Sequence, residues 1–343
     1  MDITQILAFS KEHQASDVLL IAGNPPVVRV DGALKKLKGD SLTNQDIKSI
    51  IYAVMDDQQR TILEQALEID FAVSFGEKSR FRVNAFYNRS GLGAVFRVVP
   101  MDIPSFEDLD LPPIFEKICE KKGGLVIVSG ASGAGKSTTM ACMLNHINET
   151  QAKHILTIED PVEFIHQPQK SLVTQREIGQ DTESYEKAVR SALFEDVNVL
   201  YLGQINDYKT AKLALQAAEA GILVFATIHA ASSTKAVNRL IDSFPVEEKE
   251  MTRQLLSSVL EAVICQQLLP KKSGQGRMAA FEILIGTNAV KNLIKDGKTM
   301  QLQSVMQTSA RFGMISMDLA VSDLEKYGVV ETSSEKEIFA QAS

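Results

Sequence analysis

Cysteine is scarce in this chain: Cys119, Cys142 and Cys265 are the only three in 343 residues, with no CxxC pair and no Cys/His metal spacing. That excludes a disulfide-stapled scaffold, argues against a structural zinc and fits a reducing compartment. An excess of basic residues is also lacking, with 36 Lys and Arg against 43 Asp and Glu and a formal net charge of -7. A non-specific nucleic-acid binder needs a basic face, so no nucleic-acid partner is expected. No run approaches the roughly 18 apolar residues that a spanning helix requires. The opening MDITQILAFSKEHQASD has no basic segment ahead of a long apolar one, so it does not read as a signal peptide. The expectation is a cytoplasmic protein whose membrane contact is indirect, through a partner. There is no internal repeat and no low-complexity tract.

What is present is ordinary globular material, 45% hydrophobic and 23% charged, long enough for two or three domains. Residues 1–99 read as a small α/β domain. Helical spacing covers Ile3 to Gln14, Asn44 to Val54 and Asp57 to Ala66, with strands at Val18 to Ala22 and Val27 to Val30. Three later runs, Ile69 to Phe75, Arg80 to Tyr87 and Gly93 to Val98, are separated by turn residues and read as an antiparallel meander. Pro100, Pro104, Pro112 and Pro113 punctuate an acidic stretch, so residues 100–117 read as a linker. From residue 118 strands and helices alternate, the pattern of a mainly parallel sheet covered on both faces. Strands are expected over 124–128, 155–158, 197–202 and 222–228, and helices over 183–194 and 209–220. The last hundred residues read as largely helical, with a frayed end.

Gly130-Ala131-Ser132-Gly133-Ala134-Gly135-Lys136-Ser137 is a GxxxxGKS phosphate loop, with an apolar strand before it and a helix after it. Gly130, Gly133 and Gly135 let backbone N–H groups turn toward phosphates, and the helix N-terminus adds a favourable dipole. Lys136 is the expected β/γ-phosphate contact and Ser137 the expected Mg²⁺ ligand, with Ser132, Ala134 and Thr138 completing the ATP cradle. Downstream, His154 to Phe164 places Glu159, Asp160 and Glu163 just past a strand end, where a parallel sheet meets its ligand. Carboxylates there can orient and deprotonate an attacking water. A solvated acidic loop is the alternative.

The run Thr157-Ile158-Glu159-Asp160-Pro161-Val162-Glu163-Phe164 resembles the aspartate box of the secretion ATPase superfamily. Ala226-Thr227-Ile228-His229-Ala230, followed by Arg239 to Pro245, resembles its histidine box. Ala289-Val290-Lys291-Asn292-Leu293-Ile294-Lys295 is similar to the C-terminal helix motif of the PilT/PilU-like type IV pilus retraction ATPases, and Arg80 to Phe86 resembles their N-terminal domain. The resemblance runs nearly the whole length. It implies an α/β chain with a PAS-like domain (1–99), a linker (100–117) and a RecA-like P-loop domain with C-terminal helices (118–343). It implies a homo-hexameric ATPase that acts with Mg²⁺ on an inner-membrane pilus platform protein, at the inner face of the membrane, to retract pili in twitching motility. Glu163 matches the family's general base, and Glu159 and Asp160 match groups that support the metal or the water. His229 matches a nucleotide-sensing histidine, and Arg80, Arg82 and Arg97 match arginines that reach a γ-phosphate. An ion-paired strand face remains open for Arg80 and Arg82, and a hydrogen-bonded core histidine for His229.

One region departs from the pattern. After the strand near Val199, the family has Gly-Glu and then Arg-Asp; here the run is Gly203-Gln204-Ile205-Asn206-Asp207. Asn198 and Phe194 also replace an acidic and a basic residue. Gln204 has nearly the shape of glutamate but no charge, and it takes no proton at neutral pH. Two functions stay open: an active retraction motor, or a hydrolysis-impaired ATP-binding subunit that co-assembles with an active PilT-like paralogue.

Overall fold

The computed structural model describes residues 15–30, 33–75, 80–99, 102–274 and 276–331. The helix expected over Ile3 to Gln14, the turns at 31–32 and 76–79 and the frayed end lie outside them. The chain divides into two compact units, residues 1–102 with 161–165, and residues 103–160 with 166–343.

The first unit is a six-stranded sheet, β1 (Asp17–Ile21), β2 (Val27–Val30), β3 (Ala33–Lys36), β4 (Glu68–Ser74), β5 (Arg80–Asn88) and β6 (Gly91–Val99), ordered β3-β2-β1-β6-β5-β4 and antiparallel throughout. The meander is as expected; β3 is an additional strand. Alternation sorts the faces. Phe81, Val83 and Ala85 of β5 are buried, with Phe96, Val18 and Leu20 on the neighbouring strands, while Arg80, Arg82 and Asn84 take the other face. The buried face packs on α1 (Asn44–Ala53) through Ile47, Ile50 and Ile51, and α2 (Asp57–Ala66) adds Leu63. Capping boxes at Thr43–Asp46 and Asp56–Gln59 start the two helices, each cap worth about 1 kcal/mol.

The second unit is a seven-stranded sheet ordered β13-β12-β7-β11-β10-β8-β9, comprising β7 (Gly124–Ser129), β8 (His154–Glu159), β9 (Leu172–Glu177), β10 (Val199–Leu202), β11 (Leu223–Ile228), β12 (Leu260–Pro270) and β13 (Arg277–Ile285). All neighbours run parallel except β13, which is antiparallel to β12. Continuous apolar strands such as β7 and β11 are buried along their whole length, because helices cover both faces. Leu125 and Ile127 face α5 (Tyr185–Ala192), α6 (Tyr208–Glu219), α7 (Ser233–Asp242) and α8 (Lys249–Val259). Val126 and Val128 face α3 (Ile114–Cys119) and α4 (Lys136–Thr150). Three further helices follow, α9 (Asn288–Lys295), α10 (Leu302–Thr308) and α11 (Met317–Lys326).

Two expectations change. The last hundred residues are not largely helical throughout, because after α8 the strands β12 and β13 form a long hairpin on the edge of the parallel sheet. The expected linker 100–117 also proves partly core: Phe106 and Phe115 are buried against the β7 face, and α3 begins at Ile114. Prolines there start a helix and shape a packed turn instead of spacing two domains. All three thiols lie in this second unit and are buried. Burial raises each one's pKa, that of Cys142 to about 12. No helix among the described residues is long and apolar enough to cross a membrane.

Candidate nucleotide site

The phosphate loop joins β7 to α4. Gly130 sits at φ +149°, and a Cβ there would come within 2.5 Å of the Gln266 carbonyl oxygen. Gly135 sits at φ +86°, and its Cβ would meet the Gln266 side-chain nitrogen at 2.9 Å. Both positions therefore require glycine, because the loop is pressed against β12. Gly135 is also the N-cap of the 15-residue α4, which has no side-chain cap and no acidic residue in its first turn. The first N–H groups of such a helix are donors without an internal acceptor, which suits an anion. Ala134 is buried, Ser132 and Gly133 are exposed, and Ser137 and Thr138 are half-buried at the start of α4. Lys136 is 9% exposed, and its Nζ donates to the carbonyls of Gly130 at 3.0 Å and Ala131 at 2.8 Å.

His229, just beyond β11, places Nδ1 3.5 Å from Lys136 Nζ. Burial and the Lys136 charge hold its pKa below the usual histidine value, so the ring is neutral at pH 7. At the end of β8, Glu159 is buried and accepts from Thr157 Oγ1 at 2.7 Å. Gln175 of β9 donates to the same Glu159 oxygen at 3.5 Å and accepts from the His166 N–H at 2.9 Å, so it spans both ends of the aspartate-box loop. Asp160 is exposed. Gly203 N–H bonds to Ile158 O at 2.8 Å and sets the end of β10 beside that of β8. The Tyr185 hydroxyl bonds to the Gln204 backbone, and burial together with Asp160 and Glu159 raises its pKa. Gln204 is half-buried and Asn206 is exposed.

A protein-family model, "Type II/IV secretion system protein", matches residues 2–334. The chain belongs to that family. It is 45% identical over 337 residues to "Type IV pilus retractation ATPase PilT" of Pseudomonas aeruginosa, covering 98% of each chain. It is 45% identical over 328 residues to "Twitching motility protein" of Neisseria gonorrhoeae, covering 96% of this chain and 88% of that one. The solved structure "Crystal Structure of the Pilus Retraction Motor PilT and Bound ADP" superposes with a TM-score of 0.90 at 41% identity, covering 97% of this chain and 95% of that one. Within the family the chain groups with the PilT/PilU-like retraction ATPases.

The residues singled out in this family member fall into three groups. Lys136 and His229 meet directly, and Glu159, Asp160 and Gln204 share the Tyr185 neighbourhood. Glu163 is half-buried in segment 161–165, which clusters with the first unit. Arg80, Arg82 and Arg97 belong to that unit. Arg82 Nη2 pairs with Asp70 at 3.4 Å, and Arg97 Nε pairs with the nearly buried Asp17 at 2.8 Å, which also holds Arg29 at 3.4 Å. Sequence reasoning missed Gln266, which is 4% exposed and accepts from Thr139 Oγ1 at 2.8 Å, and Glu282, which lies under the histidine loop. The available signal was a polar residue inside an apolar strand, VICQQLL and MAAFEILI.

Proposed function

We propose that this chain binds ATP at the phosphate loop and serves as a retraction motor of the type IV pilus system, working as a hexameric ring at the inner face of the bacterial inner membrane against a pilus platform protein. The observation that carries the reading is the loop itself: glycines forced by β12, an uncapped helix start and a buried lysine, in a chain with full-length similarity to a retraction ATPase. Lys136 and the first amides of α4 hold the phosphates. Ser137 and Asp160 are the groups suited to Mg²⁺, which would supply charge neutralisation at the phosphate oxygens. Glu163 takes the proton of the attacking water, with Glu159, held by Thr157 and Gln175, orienting it. Neutral His229 reads the phosphate end through hydrogen bonding, and Arg80, Arg82 and Arg97 supply positive charge to the transition state.

Gln204 favours a second reading, an ATP-binding subunit with weak hydrolysis that works beside an active paralogue. The neutral side chain stands where the family pattern has a charge, on a residue whose backbone bonds the Tyr185 hydroxyl that Glu159 and Asp160 also act on. The deciding experiment is steady-state phosphate release with Mg²⁺ and ATP by wild type, Lys136→Ala and Gln204→Glu. Turnover in wild type that Lys136→Ala abolishes supports the motor. A silent wild type that binds ATP, with turnover gained in Gln204→Glu, supports the accessory subunit. Failure of wild type to bind ATP sinks both.

A further inference from the structure

Glu282 is the charged residue in the apolar β13 run from Met278 to Ile285, and it is 6% exposed. Among the described residues its carboxylate takes neutral donors. Oε1 accepts from the Ser233 N–H at 2.6 Å and from Ser233 Oγ at 2.7 Å. Oε2 accepts from the Met317 N–H at 3.4 Å. Ser233 is the first residue of α7 and Met317 is the first of α11. One carboxylate thus serves the starts of two helices, where N–H donors and the positive dipole end both favour an acceptor. At α11 the N-cap Ser316 makes no side-chain cap bond, and Glu282 supplies an acceptor to the first amide from a neighbouring strand. The approach to α11 is fixed to β13 as well, by Ile283 N–H to Ile315 O at 2.9 Å and the reverse bond at 3.2 Å.

The segment between β11 and α7 is the histidine loop. Arg239 Nη1 donates to the His229 carbonyl at 2.9 Å, and Cys265 Sγ lies 3.7 Å from the Ala230 carbonyl. Cys265 stands opposite Glu282 in the β12–β13 ladder. Its chain neighbour Gln266 backs the phosphate loop. The same short stretch of hairpin therefore supports both the loop that carries Lys136 and the loop that carries His229.

We propose that Glu282 is a positioning residue of the nucleotide site: by bonding the first amides of α7 and α11 together, it sets the His229 loop against Lys136 and ties that loop to α11. The proposal rests on the reading of His229 as a nucleotide-contacting group. Glu282→Gln keeps the size and one acceptor, but turns an N–H donor toward a donor, leaving a buried amide unsatisfied. Ser233→Ala removes only the hydroxyl bond.

The test uses the full chain. The His229 ring, one of five histidines, is titrated by NMR without nucleotide, with His229→Gln supplying the assignment. Lys136 and Arg239 are the charged groups that act on it. ATP and ADP affinities are then measured by displacement of a fluorescent nucleotide. In Glu282→Gln the His229 titration is expected to move up toward the ordinary value near 6.5, and the preference for ATP over ADP to fall about tenfold. Ser233→Ala is expected to move both in the same direction by less. Leu302→Ala, a core truncation in the same unit, lowers stability and is expected to move neither. A folded Glu282→Gln protein whose His229 titrates like wild type overturns the proposal. If wild type binds no nucleotide, the functional reading falls, and the titration alone decides the role of Glu282.

Discussion

The loop after β7 and the loop after β10 stand in one parallel sheet with only β11 between them, yet they have kept different chemistry. The first is built from backbone: glycines, helix amides and one lysine. The second depends on a side chain, and in this chain that side chain, Gln204, is neutral. Phosphate binding by amides and a lysine that keeps its charge survives changes elsewhere because no group is asked to give up or take a proton. Activation of a water depends on charge and proton affinity, so a single atom's change from oxygen to nitrogen can remove it. On the proposed function, the difference separates binding from turnover within one molecule.

On the second reading, Gln204→Glu is expected to give the largest effect on that contrast, raising hydrolysis by about 10²-fold, the low end of proton-transfer assistance because Glu163 is the base and residue 204 only supports it, with ATP affinity nearly unchanged. Phosphate release and nucleotide titration on the same preparation check it, and a rise in affinity without a rise in turnover would break the contrast. Acid then limits every such assay through His166, which is buried and whose pKa is pushed down to about 4. Above pH 6.5 neither the folded nor the unfolded state protonates it. Between pH 6.5 and 4 the unfolded chain takes a proton that the folded one refuses, so stability falls by about 3 kcal/mol over that window. Urea melts across that range should show the slope, and His166→Leu should flatten it. Lys136→Ala is expected to weaken nucleotide binding by about 10–100-fold, the worth of a charge-assisted contact, and to cost about 1 kcal/mol of stability at pH 7 because the Gly130 and Ala131 carbonyls lose that donor. The smallest effect is the support from β12. Gln266→Leu and Thr139→Val, alone and combined, should give a coupling of about 1 kcal/mol in nucleotide affinity. Strict additivity would mean that the 2.8 Å bond between them does nothing for the loop.

Legibility followed how local each signal is. The phosphate loop, Glu159 and His229 lie in short runs whose pattern carries its own chemistry, so they could be read along the chain. The meander of β4 to β6 could also be read, because alternation shows when one sheet face is polar. β9 was missed because Leu172 to Glu177 is a polar edge strand with little alternation. The β12–β13 hairpin was missed because its apolar runs fit a buried helix as well as a strand. Asp17 with Arg97, 80 residues apart, and Glu282 with Ser233, 49 apart, are pairings that only the folded chain creates. A charged residue in an apolar strand was the clue to Glu282, and alone it does not name a partner.

The burial of all three thiols in the second unit gives the molecule a built-in clock. With every sulfur shielded and its pKa raised, a thiol reagent near neutral pH finds no thiolate until that unit opens. The first unit, having no cysteine, is silent throughout. Labelling rates thus time the breathing of the unit that carries the phosphate loop, and a ligand that grips the loop would be heard as a slowing of sulfur chemistry alone.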